Sequence, residues 1–267
     1  MTRDHAEVDL GLLAGVTDRG LRHEQNEDAM EIAVADTGAG PVPLAVVCDG
    51  VSTSARPAEA SLAAAQAAMA VLRSAADSGG DLAQASAEAV RAAGQAVAGL
   101  TETPGAIPSA TFVSAVVTGT TVTLCWLGDS RAYWLGTRPE SASQQLTTDD
   151  SLAQEMVQAG LLAEDEALES PHAHVVTRWI GSPPAETAPH LATFDPGTPG
   201  ALLLCSDGLW NYQPDADELA ALALPDALTE PLSSAKALVD FAIKAGGRDN
   251  ITVVLIPFPP ERTTSAG

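Results

Sequence analysis

The stretch that most constrains this chain is Leu44-Ala45-Val46-Val47-Cys48-Asp49-Gly50-Val51. A continuous apolar run of this length, rich in valine and closed by a turn signal, predicts a strand buried on both faces. Rigid backbone would hold the carboxylate at its end on the rim of a packed core. Taken alone, Asp49-Gly50 is an ordinary start of a turn. The construction recurs, however, where the apolar run from Ala201 to Cys205 ends in Ser206-Asp207-Gly208. Two more aspartates flank strong strand patterns: Asp129 between Gly128 and Ser130, and Asp249 ahead of the β-branched run 251–256. These strand ends are expected to converge on one acidic, solvent-facing rim. Carboxylates packed together repel and raise one another's pKa. Divalent cations relieve that repulsion, and an all-oxygen donor set points to Mg²⁺ or Mn²⁺ rather than zinc. Two such ions about 3.5–4 Å apart are a common device for phosphoester hydrolysis.

Most of the remaining chain reads as scaffold. A polar run from Leu21 to Asp28, holding the adjacent acids Glu27 and Asp28, precedes a strand pattern over 29–35. Residues 58–75 and 82–100 are alanine-rich helices broken at Gly79-Gly80. From 110 to 135 the period switches to two, and 111–118, 121–127 and 131–135 read as consecutive antiparallel strands with one face on the core. Residues 151–160 predict a short helix. Beyond it come acidic residues 164–166, His172, His174 and Pro183-Pro184, so 151–186 is the least regular part and a candidate flap, with both histidines in a solvated loop. Helices are expected over 215–222 and 230–245, the second stopped by Gly246-Gly247. The tail 259–267 is polar and reads as disordered.

Composition excludes several function classes. The net charge of −22 repels nucleic acid and anionic membrane alike. No positively charged, then apolar leader opens the chain and no apolar run approaches a membrane span, so a cytoplasmic protein is expected, with monomer as the default state. With 267 residues, 46% of them hydrophobic, and no linker-like shift in composition, residues 1–258 are expected to form one domain. Cys48, Cys125 and Cys205 lie in or beside separate apolar runs, as buried reduced thiols do.

The motifs together resemble the metal-dependent serine/threonine protein phosphatases of type 2C in their compact bacterial form. Thr17-Asp18-Arg19-Gly20 with Asn26-Glu27-Asp28 resembles the family's opening motif. Val47-Cys48-Asp49-Gly50 resembles its central Asp-Gly, and Leu127-Gly128-Asp129-Ser130-Arg131 its Gly-Asp-Ser-Arg turn. Leu146-Thr147, Thr177-Arg178, Ser206-Asp207-Gly208 and Gly247-Arg248-Asp249-Asn250 continue the series in order, covering residues 8–257. The resemblance implies an α+β fold, a four-layer αββα sandwich of two antiparallel sheets with helices on both outer faces. It implies that Asp49 bridges two core ions, that Gly50 offers a carbonyl, and that Asp207 and Asp249 complete the second ion's ligands, making Asp49, Asp207 and Asp249 the catalytic set. Glu27 and Asp28 would act through water, and Asp129 with Asp207 would hold a third ion where one is present. It further implies that a metal-activated water attacks phosphorus directly, with phosphorylated proteins as substrates and a cytoplasmic Ser/Thr kinase as the opposing partner.

Two departures touch the phosphate half of the site. The family's phosphate-binding arginine position holds His23, with Arg22 beside it, so either residue is a candidate for that role. Many eukaryotic members follow Asp-Gly with a histidine, whereas Val51 has no proton to give. Rival readings are a catalytically weak phosphopeptide-binding relative, or a phosphatase for a small phosphomonoester or an anti-sigma-factor antagonist on the same fold.

Overall fold

The computed structural model describes residues 4–259 apart from 39, 104, 138–141, 182–187 and 225. In chain order the elements begin β1 (His5–Asp9), β2 (Ala14–Asp18), β3 (Asp28–Thr37), β4 (Gly40–Asp49), α1 (Pro57–Ser78) and α2 (Leu82–Ala98). They continue β5 (Phe112–Thr118), β6 (Thr121–Leu127), β7 (Arg131–Gly136), β8 (Gln144–Gln145) and α3 (Leu152–Gln158). The last are β9 (His190–Phe194), β10 (Gly200–Cys205), α4 (Asp207–Trp210), α5 (Ala216–Ala223), α6 (Pro231–Ala245) and β11 (Ile251–Phe258). One sheet has six strands in the order β1-β2-β11-β10-β7-β8 and the other five, β3-β4-β5-β6-β9; all pairings are antiparallel.

Alternation along the strands explains why four layers form. In β4, Leu44, Val46 and Cys48 pack against α1 and α2, while Ala45 and Val47 turn the other way into the space between the sheets. In β10, Leu203 and Cys205 face α5 and α6, whereas Leu202 and Leu204 face the opposite sheet. The result is three apolar cores stacked in series, one between the sheets and one under each helical layer. The expected αββα sandwich is the observed architecture. The alanine-rich helices suit it: Ala60, Ala64, Ala65 and Ala68 of α1 are fully buried, and small side chains let the helix lie close on its sheet.

Two expectations are corrected. The strands at 111–135 are not a meander in one sheet. β5 pairs with β6, but β7 pairs with β10 and β8 in the other sheet. The chain crosses between layers at Gly128-Asp129-Ser130, where Gly128 takes φ +106°, a conformation that disfavours a side chain. Nor does this sheet leave one face to solvent, because Phe112 to Val117 are all buried, helices covering one side and the second sheet the other. Sequence periodicity also missed β1, whose five residues are all exposed, and β9, a short edge strand. Residues 182–187, including Pro183-Pro184, and 260–267 of the tail lie outside the described residues.

Trp134 sits at the middle of the inter-sheet core, 1% exposed, with Phe194 and Phe258 each 5.6 Å away between ring centroids. Trp134→Ala is expected to cost about 3–5 kcal/mol, read as a fall in the urea midpoint at unchanged slope.

Candidate active site

All the candidate aspartates come to one end of the sandwich because of strand direction. β4 ends at Asp49 and antiparallel β3 begins at Asp28, so the two stand opposite each other in the ladder. In the other sheet β10 runs out to Asp207, while β11 starts just after Asp249 and β7 just after Asp129. Like charges directly across a strand pair repel. Here that conflict is built in, and the surrounding groups only partly answer it.

Asp28 is the most enclosed of the acids, at 1% exposure. Its Oδ2 accepts hydrogen bonds from the hydroxyls of Ser206 and Thr252, each at 2.7 Å. Thr252 Oγ1 lies 2.7 Å from Thr17 Oγ1, which accepts from Asn26 Nδ2 at 2.8 Å. Burial pushes the Asp28 carboxyl up to about 7, against the pull of those hydroxyls and with the charge of Asp249 adding to the rise. Asp129 also rises to about 7, through burial and then the nearby Asp149, with Arg131 opposing. Asp49 and Asp207 keep some solvent contact but sit deep in protein, and both are raised well above the carboxylate range. Burial is the main cause for each. The other aspartates of the cluster add to it, Asp28 foremost for Asp49 and Asp249 foremost for Asp207.

The loops around the acids are fixed by hydrogen bonds to their backbone. Asn250 is the hub: its Oδ1 accepts from the Glu27 amide at 2.7 Å and its Nδ2 donates to the carbonyls of Arg19 and Gln25. Gly208 lies so close to the Asn250 carbonyl that a Cβ there would collide with it, which ties the Asp207 turn to the Asp249 turn. Gly50 is buried, its amide donating to the Glu27 carbonyl at 3.1 Å. Beneath Asp49, Thr111 Oγ1 accepts from the Asp49 amide and lies 2.7 Å from Ser130 Oγ. Trp210 donates from Nε1 to the Asp129 carbonyl and stacks under Arg131, whose guanidinium lies 3.8 Å from the ring centroid and pairs with Asp149 at 2.7 Å.

His23 Nε2 lies 3.2 Å from Asp249 Oδ1. Arg19 donates to the His23 carbonyl, and Arg22 is exposed on the same turn. Glu27 accepts a hydrogen bond from Ser52 Oγ. Geometry therefore brings His23 to the aspartates and leaves Arg22 at the rim. His172 and His174 are exposed, as expected, but His174 also stacks on Trp210, with 5.8 Å between ring centroids.

The donor set fits hard divalent cations. The clustered acids offer oxygen only, and Asp207 Oδ1 is buried with no hydrogen-bond partner among the described residues. Among the described residues no three His, Cys, Asp or Glu side chains already stand as a ready-made cage for one ion. The carboxyls are nonetheless near enough to raise one another's pKa.

Residues 19–241 match the sequence profile described as protein phosphatase 2C. The chain belongs to the protein phosphatase 2C family. It is 33% identical over 246 residues to the serine/threonine protein phosphatase PstP of Mycobacterium tuberculosis, covering 91% of this chain and 44% of that protein. It is 33% identical over 147 residues to the serine/threonine phosphatase of Listeria innocua, covering 55% of each. The chain thus spans about half the length of the curated relatives it matches. Among solved phosphatase 2C structures, the PPM Ser-Thr phosphatase MsPP of Mycobacterium smegmatis, in complex with cacodylate, superposes with a TM-score of 0.73 at 31% identity, covering 91% of this chain and 97% of that one. The catalytic domain of PstP in complex with two manganese ions superposes with a TM-score of 0.71 at 30% identity, covering 92% and 96%.

The aspartates are legible in the sequence; the groups that orient them are not. Thr17 and Thr252 are each a lone hydroxyl in an otherwise apolar buried strand, and that anomaly was the available signal. The Arg131–Trp210 stack left none, since it joins residues far apart in the chain. Because burial raises these pKa values, deprotonating the carboxyls in the folded chain costs stability at any pH above the ordinary carboxylate range. Asp207→Asn is therefore expected to raise stability at pH 7 in the presence of chelator by about 1 kcal/mol or more, measured by urea unfolding. A loss of stability would count against burial and mutual repulsion as the main influences on this carboxyl.

Proposed function

We propose that this chain hydrolyses phosphoserine and phosphothreonine in proteins, opposing a cytoplasmic Ser/Thr kinase. The observation that carries the reading is the set of buried, mutually repelling aspartates at one end of the sandwich, with an orphaned oxygen on Asp207. Family membership and the phosphatases it resembles support the same reaction class. Asp49, Gly50, Asp207 and Asp249 would hold two core Mn²⁺ or Mg²⁺ ions, with Glu27 and Asp28 acting through water and Asp129 joining Asp207 at a third. Bound ions of this kind supply an activated water and offset the charge on the phosphoryl oxygens.

The chain's own residues do the rest. Ser206 and Thr252 orient Asp28, which stands across the strand pair from Asp49. Asp249 positions His23, which supplies a donor to the phosphate and the proton source that Val51 cannot be. Arg22, on the same turn, adds positive charge at the entrance. Residues 1–258 act as one catalytic domain, with 151–186 as its flap. The net charge of −22 disfavours nucleic acid and anionic lipid, and no helix among the described residues is long and apolar enough to cross a membrane.

The test is hydrolysis of p-nitrophenyl phosphate and a phosphothreonine peptide, with Mn²⁺ and with chelator. Turnover is expected only with the ion, and Asp49→Asn is expected to lower kcat by at least about a hundredfold. Phosphopeptide binding without metal-dependent turnover, the same in Asp49→Asn, would favour the non-catalytic reading instead.

A further inference from the structure

A cavity of about 320 Å³ opens directly beside the aspartate cluster, touching Gly208 and Asp249. It is lined by Trp210, Tyr212 and Pro214, by Leu168 and His174 from the 151–186 segment, and by Arg248. Leu168 is 46% exposed, an apolar side chain left at the mouth of a polar site. Arg248 is held by its backbone, whose amide donates to Tyr212 Oη at 2.9 Å, while its side chain is exposed.

The chain has 13 Lys and Arg against 35 Asp and Glu, and Arg248 is the one Lys or Arg that lines this cavity. Arg56, Arg131, Arg178 and Lys236 are each committed to carboxylates. No ion pair holds Arg248 among the described residues. The nearest acid in sequence, Asp249, is already in contact with His23. Like Arg19, Arg22, Arg73 and Lys244, Arg248 has no ion pair among the described residues, but its place in a mixed polar and apolar pocket next to the reaction centre suits it to an anion that arrives with the substrate.

We propose that this pocket receives a residue flanking the phosphorylated one, and that it selects an acidic side chain whose methylene stem rests on Leu168, Tyr212 and Pro214 while Arg248 binds its carboxylate. The inference rests on the phosphatase reading and narrows its substrate class to phosphopeptides with an acidic flank. Arg248 is a specificity residue, outside the groups assigned to the reacting phosphate.

The experiment compares kcat/KM for two phosphothreonine peptides that differ only in Glu or Gln at the flanking positions, with Mn²⁺ present. Wild type is expected to favour the Glu peptide by about fivefold. Arg248→Lys keeps that preference, Arg248→Ala abolishes it, and Arg248→Glu inverts it. Equal kcat/KM on the two peptides in wild type, or a preference that survives Arg248→Glu, overturns the subsite. p-Nitrophenyl phosphate has no flank and reports separately on the reaction itself. If wild type turns it over without any Glu preference, the subsite alone fails; if wild type does not turn it over, the phosphatase reading fails and the subsite with it.

Discussion

The structure depends on a repulsion that it does not itself relieve. Asp28 and Asp49 face each other across one strand pair, and Asp129, Asp207 and Asp249 arrive from the opposite sheet at the same end. A protein selected for stability alone would place apolar or neutral groups there. Two hydroxyls on Asp28, one asparagine amide on Asp207, and the Asn250 amide and His23 on Asp249 are a small set of donors for so many clustered carboxyls. Raised carboxyl pKa values are the physical record of that imbalance, and a multivalent cation is the simplest group that removes it.

The sandwich is what makes the imbalance tolerable. Three stacked apolar cores fix both sheets in register, so the strand ends cannot drift apart to dilute their charge. Close contacts then lock the loops together. Asn250 joins the 19–27 turn to the Asp249 turn, and Gly208 lets the Asp207 turn press against the same backbone. The site is thus assembled by side chains that grip the main chain of neighbouring loops.

Local pattern made much of this legible in advance. A buried strand ending in Asp-Gly, found twice, located the rim, and the ordered motifs supplied the layer architecture. What remained hidden depends on pairings between distant segments. Nothing in residues 111–135 reveals that β7 leaves the sheet of β5 and β6, because alternation sets a strand's faces but not its neighbours. The exposed β1 and the edge strand β9 carry too little apolar pattern to stand out. Thr17, Ser206 and Thr252 acquire their role only once three strands bring them to Asp28. His23 was visible as a departure from the family pattern, but its contact with Asp249 needed the fold.

Whether these carboxyls form a cation site, protonated until the cation displaces the protons, is open to one direct measurement. Calorimetric titration of the full chain with Mn²⁺ at pH 7, in two buffers of different ionisation heat, counts both bound ions and released protons. Saturable binding with net proton release is expected, because the raised carboxyls must lose protons to become ligands. Absence of binding, or binding with no difference between the buffers, would contradict it.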